Sequence, residues 1–201
     1  MNYTVRLDYA ERTIGEVVGV YNDQLTNFVY ETLNGSSDAI DLSRAHRALL
    51  RQLGPQSYLE GMREGGVPPE EADESDRATI SKWVQDQIGF EKSFAADVVA
   101  ARGDDGKRAA ILARVGLWVA AMSALGAQGI ASAKGNQMGR FNLGPTKEHC
   151  RTCAGLHGKR HRLSWFQSRN LLPRQMGNEN FVCKGYRCEC NIKFDDGTWL
   201  Y

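Results

Sequence analysis

The first part of the chain repeats its apolar positions with the period of an α-helix. From Thr13 to Leu33 an apolar side chain recurs every three or four residues. These positions are Ile14, Val17, Val18, Tyr21, Leu25, Phe28 and Val29. Such spacing predicts an amphipathic helix, and Asn34-Gly35 predicts its end.

A second helical pattern starts near Asp41 and contains an interruption. Its apolar face carries Leu42, Ala45, Leu49 and Leu50. Gly54-Pro55 follows this face, and an internal proline removes a backbone donor and clashes with the preceding turn. We therefore expect a broken pair of helices that ends at Gly65-Gly66.

The segment 65–76 reads as an exposed connection. It combines two glycines, two prolines and five acidic residues, a composition that disfavours packed structure. Beyond it, Ser75 or Asp76 is expected to cap a helix. That helix is predicted to contain Ile80, Trp83, Val84 and Ile88, and a further helix to contain Phe94, Ala95, Val98 and Val99.

The longest apolar element runs from about Lys107 to Lys134 and lacks any charged residue for 19 positions. A membrane span needs about 20 mostly apolar residues, but glycine, serine and glutamine dilute this stretch. We interpret it as a buried central helix and expect no stable membrane insertion. Gly116, Ala120 and Ala124 are small and four residues apart, so another helix, from the same chain or a second subunit, could approach there. They are the candidate oligomer contacts, and a homo-oligomer is expected.

Beyond Gly135 the helical period gives way to short segments separated by glycine, asparagine and proline. This change predicts a mainly α protein, with a multi-helix body over 1–136 and a small, irregular module with short β-strands over 137–201.

The charges divide at nearly the same place. Residues 1–133 include 13 basic and 19 acidic residues, and residues 134–201 include 12 basic and 5 acidic ones. A basic surface of this kind fits nucleic acid or an acidic protein partner.

All five cysteines lie in one 41-residue window of the module: Cys150, Cys153, Cys183, Cys188 and Cys190. The N-terminus has no apolar segment typical of a secretion signal, so we expect a reducing compartment. There, metal binding is favoured over disulfides. Four thiolates satisfy a tetrahedral Zn²⁺ ion, which would stabilise a module too small for a large core. A structural Zn²⁺ is therefore the expected cofactor.

Five thiols exceed the four positions of a tetrahedral site, and the spacing does not identify the spare one. In an extended strand Cys188 and Cys190 would share a face, and Cys183 is the alternative to either. His149, His157 and His161 add nitrogen candidates. Histidines beside several basic residues are more often part of a solvated basic patch than metal ligands.

Enzymatic alternatives find less support in the sequence. Cys153 with His157 would form a nucleophile and base only on a helix, which Gly155 and Gly158 disfavour. A nuclease of the His-Asn-His type would need catalytic carboxylate and histidine pairs, and no histidine follows His161. We therefore expect no enzymatic activity.

The segment Gly144 to Lys159, GPTKEHCRTCAGLHGK, resembles the Cys-x-x-Cys-x-x-Leu-x-Gly-Lys segment of the Mu F-like minor head morphogenesis proteins of tailed bacteriophages. That family commonly closes with His-Pro-x-Cys-x-Cys. Here the corresponding segment reads CKGYRCEC from Cys183 to Cys190, with no histidine and an added cysteine. The chain thus resembles a sub-type in which Cys183 replaces the histidine.

This resemblance implies a low-copy virion protein near the portal, with a role in head assembly or genome delivery. Its implied partners are the portal and major capsid proteins, with packaged DNA as a further one, and its implied location is the virion after assembly in the host cytoplasm.

One alternative is a zinc-containing nucleic-acid-binding protein, with Tyr186, Trp165 or Phe166 available for base stacking. Another is a membrane-active ejection protein that uses 115–133. The candidate contacts to nucleic acid or an acidic partner are Lys159, Arg160, Arg162, Lys184 and Arg187.

Overall fold

Four long helices account for the first two thirds of the chain. The structure is a computed structural model that describes residues 12–145, 148–175, 177–186 and 188–201. Helix α1 spans Ile14–Leu33, α2 Ala39–Glu64, α3 Glu74–Ala100 and α4 Asp105–Ala133. The first and last of these helices match the predicted segments, and Thr13 caps α1 by accepting a hydrogen bond from the backbone N–H of Glu16.

Helix α2 continues through Pro55, so the predicted break at Gly54-Pro55 is wrong. Contacts with α3 and α4 on either side of the proline compensate for the backbone hydrogen bond that Pro55 cannot donate. A Cβ on Gly54 would lie 2.8 Å from the Trp83 ring, so α3 packs closely at this point. Just beyond the proline, the Ser57 hydroxyl donates to the Met122 carbonyl of α4 at 2.9 Å.

Helix α3 is likewise continuous, whereas the sequence predicted two helices. It starts earlier than expected because Asp73, rather than Ser75 or Asp76, is the cap. Asp76 instead lies buried and accepts hydrogen bonds from the hydroxyls of Tyr58 (2.6 Å) and Ser132 (2.7 Å). The acidic connection is therefore not solvated throughout. It contains a 3-10 turn, Pro69–Glu71, and anchors α3 to α2 and α4.

Helices α2 and α4 come into backbone contact at three glycines. A Cβ built on Gly61 would lie 1.9 Å from the Gly126 carbonyl oxygen, and one on Gly129 would lie 1.9 Å from the Tyr58 carbonyl oxygen. No larger residue fits at such a crossing. Close helix approach along α4 was expected, but within the chain it occurs at Gly126 and Gly129 and not at Gly116 or Ala120.

The C-terminal module contains a small antiparallel sheet and two short helices. Strands β1 (Met138–Asn142), β2 (Arg160–Arg162) and β3 (Asn191–Phe194) pair in the order β2-β1-β3. Helix α5 spans Arg151–Leu156 and α6 spans Leu163–Ser168. The predicted fold class, a mainly helical chain with short strands near the C-terminus, is confirmed.

Helix α4 contributes to two separate apolar cores. In the first, Met122 and Trp118 pack with residues of α1, α2 and α3, among them Tyr21, Leu50 and Phe94. The second core lies in the module, where the α4 residues Ala127, Ile130 and Ala131 complete it. The module's own large members are Phe141, Leu163, Phe166, Phe181 and Ile192.

Lys134 joins the end of α4 to the module. Its buried Nζ donates to the Asp196 carboxylate at 3.1 Å and to the Thr198 hydroxyl at 2.8 Å, and lies 4.7 Å from the centre of the Phe194 ring. The predicted boundary at 136 and 137 falls in the turn between α4 and β1. The second core extends across this boundary.

Replacing Gly129 with alanine should destabilise the body by about 2 kcal/mol or more, because the new Cβ must push α2 away. The matched control is Gly19→Ala in α1, where no atom lies within 4 Å of the new Cβ. That change should stabilise the protein by about 0.5 to 1 kcal/mol through helix propensity. Denaturant titration measures both changes. Equal effects at the two sites would show that α2 and α4 do not meet at Gly129.

Candidate metal centre

The Cys-x-x-Cys pair is formed by the start of helix α5. Cys150 is the N-cap residue, with an extended backbone (φ −64°, ψ 153°), and its sulfur accepts from the backbone N–H of Cys153 at 3.4 Å. The helix includes Gly155, which was expected to disfavour it, but ends before His157 and Gly158. His157 lies just beyond its last residue.

A loop carries Cys183 to this pair. Lys184 and Gly185 both adopt positive φ, 50° and 76°, which turns the chain sharply after the cysteine. The backbone N–H of Val182 donates to the Thr152 hydroxyl of α5 at 3.3 Å. This hydrogen bond fixes the loop against the turn that carries Cys150 and Cys153.

The third segment ends where β3 begins and carries Cys188 and Cys190. It lies outside the strands of the sheet, but the sulfurs of Cys188 and Cys190 reach the same site, as considered from the sequence. Arg174 holds this segment by donating to the carbonyls of Cys190 (3.0 Å) and Glu189 (2.9 Å). A Cβ on Gly144 would lie 2.3 Å from the Glu189 carbonyl oxygen, so the chain before the Cys-x-x-Cys pair needs glycine at this contact.

Together the three segments bring all five cysteines into two overlapping groups. Cys150, Cys153 and Cys183 form one and Cys153, Cys188 and Cys190 the other, with sulfurs within 4.8 Å of one another in each. Cys153, almost fully buried, belongs to both. Its sulfur lies 3.9 Å from that of Cys188, close to the spacing of about 3.8 Å that 2.3 Å bonds to a tetrahedral Zn²⁺ require. All five are free thiols, and the cluster could hold a metal ion.

Burial makes most of these thiols hard to ionise without a cation. It raises the pKa of Cys153 far above its ordinary value, and a hydrogen bond with Cys150 and the charge of Cys188 act in the same direction. Burial likewise raises the pKa of Cys183 to about 11. At Cys150 burial is outweighed by N–H donors from Cys153 and Cys183, which lower the pKa to about 7. A divalent cation reverses this balance, since a coordinating thiol loses its proton.

Of the three histidines considered from the sequence, His149 lies nearest the cluster. Its Nδ1 is 3.9 Å from the sulfur of Cys190. His161 instead stacks on Trp165, with ring centres 3.8 Å apart. His157 caps α5 through its backbone N–H, which donates to the Cys153 carbonyl at 3.1 Å.

The basic candidates that the structure describes come from two segments of the module. Lys159, Arg160 and Arg162 are exposed on or beside β2, and Arg160 pairs with the Asp195 carboxylate. Lys184 lies on the Cys183 loop. Arg187 lies outside the described residues.

Two of the three aromatic side chains considered for base stacking are unsuited to it. Phe166 is fully buried. Trp165 contacts His161, and the guanidinium of Arg169 lies 4.5 Å from its ring centre. Tyr186, about half exposed, keeps an accessible ring.

The small residues of α4 occupy different environments. Gly116 and Ala120 are exposed, and Ala124 is buried.

Among the described residues α4 is long and apolar enough to cross a membrane, with a mean hydropathy of 1.7 over its best window, and 39% of that window is buried within the protein. Its exposed residues lie mainly between Asp105 and Ala120, and no residue from Ala121 to Ala131 is exposed.

Comparison with known proteins gives no assignment. No protein-family model matches the chain, and searches of curated proteins and of solved structures likewise found no match. The resemblance around Cys150 and Cys153 therefore rests on the residues themselves.

Replacing Cys153 with serine should abolish metal binding, because its sulfur belongs to both groups. Metal analysis of the purified protein should find one ion per chain before the change and none after it. NMR signals of the module should broaden while helical circular dichroism stays nearly constant, since the first core contains no cysteine. Ala154→Ser, one residue away and exposed, is the control and should retain the ion. A metal-free wild-type protein with an ordered module would contradict this assignment.

Proposed function

We propose that this chain is a minor structural protein of a tailed-bacteriophage head, acting near the portal in head assembly or genome delivery. The observation that carries this proposal is the convergence of cysteines at the segment that resembles the Mu F-like proteins. Cys150 and Cys153 meet Cys183, Cys188 and Cys190 although some 30 residues separate the two halves of the set. The added Cys183 takes part in the cluster, as expected if it replaces a histidine of the common family form.

The proposed ion is a structural Zn²⁺. Thiolates are soft ligands that favour zinc over magnesium or calcium, and sites composed only of cysteine are typical of structural zinc. Zinc would join α5, the Cys183 loop and the segment that leads into β3. Such an ion shapes a module for binding and carries out no reaction.

The helical body and the module have different proposed roles. The body would contact other head proteins, the portal and major capsid proteins among them. The module, attached at Lys134, would present its basic side chains to packaged DNA or to an acidic portal surface. We assign no catalytic residue, in keeping with the deep burial of Cys153 and the position of His157 beyond the end of α5.

The direct test is to find the protein in an intact particle. A tagged chain produced during infection should co-purify with heads, and gold-labelled antibody should mark one vertex. A Cys150→Ser variant should incorporate several-fold less, with Ala154→Ser as the control. Complete absence from heads at every stage of assembly would refute the proposal.

A second candidate function, nucleic-acid binding, is favoured by the exposed Lys159 and Arg162 at β2. β2 is an edge strand of the sheet, so both side chains can approach a phosphate backbone. Arg160 is a weaker candidate because Asp195 already offsets its charge.

Duplex DNA should bind the zinc-loaded protein with an affinity that falls steeply as salt rises, because phosphate contacts release counterions. Replacing Lys159 or Arg162 with glutamine should each lower the slope of log K against log salt by about 1. Arg160→Gln should lower it less, and Arg44→Gln, exposed on α2, serves as the control. Fluorescence anisotropy at several salt concentrations measures these slopes. Undetectable binding at low salt would leave a protein as the partner of the basic surface.

A further inference from the structure

Two open cavities, of about 450 and 650 Å³, lie along the seam between helices α2 and α3. Arg51 lines both, so the cavities adjoin. Their lining residues on α2 run from Ala39 to Leu59, a distance of about 30 Å at a rise of about 1.5 Å per residue. On α3 they run in the opposite direction, from Ala96 to Arg77. Together the two cavities form one long surface feature, which we call the α2–α3 groove.

Apolar side chains line much of the larger cavity. Pro55 and Leu59 come from α2, and Ile80, Val84 and Ile88 come from α3. All five are half-buried, so the single chain leaves part of their surface in water. A mostly apolar lining with a few polar groups that fix the orientation of a ligand is typical of a binding cleft.

The charged residues of the groove are mostly arginines. Among the described residues that line it, Arg44, Arg47, Arg51 and Arg77 are basic and Glu70 alone is acidic. The body as a whole has the opposite balance, with 13 basic against 19 acidic residues over 1–133. The groove therefore concentrates positive charge on an otherwise acidic body, and a cleft of one charge sign attracts a partner of the other.

Two of these arginines are paired within the chain and two are not. Arg44 and Arg47 each contact a carboxylate of α2 or α3, at 3.4 and 2.7 Å. Arg51 and Arg77 are exposed, and their side chains form no ion pair or hydrogen bond within the part of the chain that the structure describes. Arg51 and Arg77 are thus the charges that a partner can neutralise.

Pro55 also leaves a backbone acceptor in the groove without its usual partner. A carbonyl inside an α-helix accepts from the N–H four residues later, and proline has no N–H. The carbonyl of Arg51 therefore lacks this donor, although α2 continues through Pro55. Both residues line the larger cavity. A peptide brings backbone N–H donors that suit such an acceptor, whereas a phosphate backbone or an acyl chain brings none.

We infer that the α2–α3 groove binds an acidic peptide segment of a partner protein. Carboxylates of the segment pair with Arg51 and Arg77, its apolar side chains cover Leu59 and Ile80, and one of its N–H groups donates to the Arg51 carbonyl. Nucleic acid fits less well, because a phosphate backbone has no apolar groups to cover the larger cavity. This inference goes beyond the proposed phage function and depends neither on it nor on a bound metal.

Fluorescence anisotropy of the full chain with a fluorescein-labelled peptide tests the inference. The probe is a peptide of alternating glutamate and leucine with about nine residues, the number that spans the seam in extended form. The wild-type chain should bind it, with an affinity that falls as salt rises. Arg51→Glu and Arg77→Glu should each weaken binding by about tenfold or more, because a like charge then faces the carboxylates.

Lys82→Glu is the matched control, since it makes the same change of charge at an exposed position of α3 outside the groove. It should leave binding unchanged, and circular dichroism confirms that each variant is folded. No measurable binding by the wild-type chain at low salt would overturn the inference. So would equal losses in Arg51→Glu, Arg77→Glu and Lys82→Glu.

Altered probes test the two halves of the recognition separately. Replacing the glutamates of the peptide with lysine should abolish binding, and replacing its leucines with serine should weaken it several-fold. An acidic serine peptide that binds as tightly as the leucine peptide would contradict the role of the apolar lining. Single-stranded DNA or phosphatidylserine vesicles that bind more tightly than the peptide, with binding lost in Arg51→Glu, would instead assign the groove to a phosphate-bearing partner.

Discussion

The convergence of five thiols around Cys153 is the constraint on which the C-terminal module depends. Three segments with little regular structure meet there, and burial opposes ionisation of most of the sulfurs. A divalent metal bound by four of these sulfurs would offset the cost of burying them. We propose that such an ion orders the loops on either side of α5.

Helix α4 connects this module to the rest of the molecule. One side packs against α2 at glycines, its last turns complete the second core, and Lys134 extends from its end into the module. A single helix therefore aligns the cysteine cluster with the helical body. The first half of α4 keeps an exposed apolar face that includes Leu117, and the edge strand β2 carries exposed positive charge.

The parts of the structure that local chemistry decides follow from the sequence, whereas the parts that distant packing decides do not. Apolar periodicity predicted α1, an uncharged apolar run predicted α4, and cysteine spacing in a reducing context predicted the cysteine cluster. Pro55 was misleading, because contacts with Trp83 and Met122 on other helices hold α2 together. Asp76 was misplaced in a solvated connection, because its partners Tyr58 and Ser132 lie on other helices. The α2–α3 groove was missed because the residues that line it come from separate helices.

We propose that a sulfur-coordinated zinc ion holds the module together, and X-ray absorption at the zinc edge would detect such an ion. The spectrum of the purified protein should fit four sulfur neighbours at about 2.3 Å, with no nitrogen or oxygen in the first shell. Three sulfur neighbours and one nitrogen would mean that a histidine takes the place of one cysteine ligand. His149 is then the residue to examine, because its Nδ1 lies 3.9 Å from the Cys190 sulfur. A first shell dominated by oxygen or nitrogen would contradict the account.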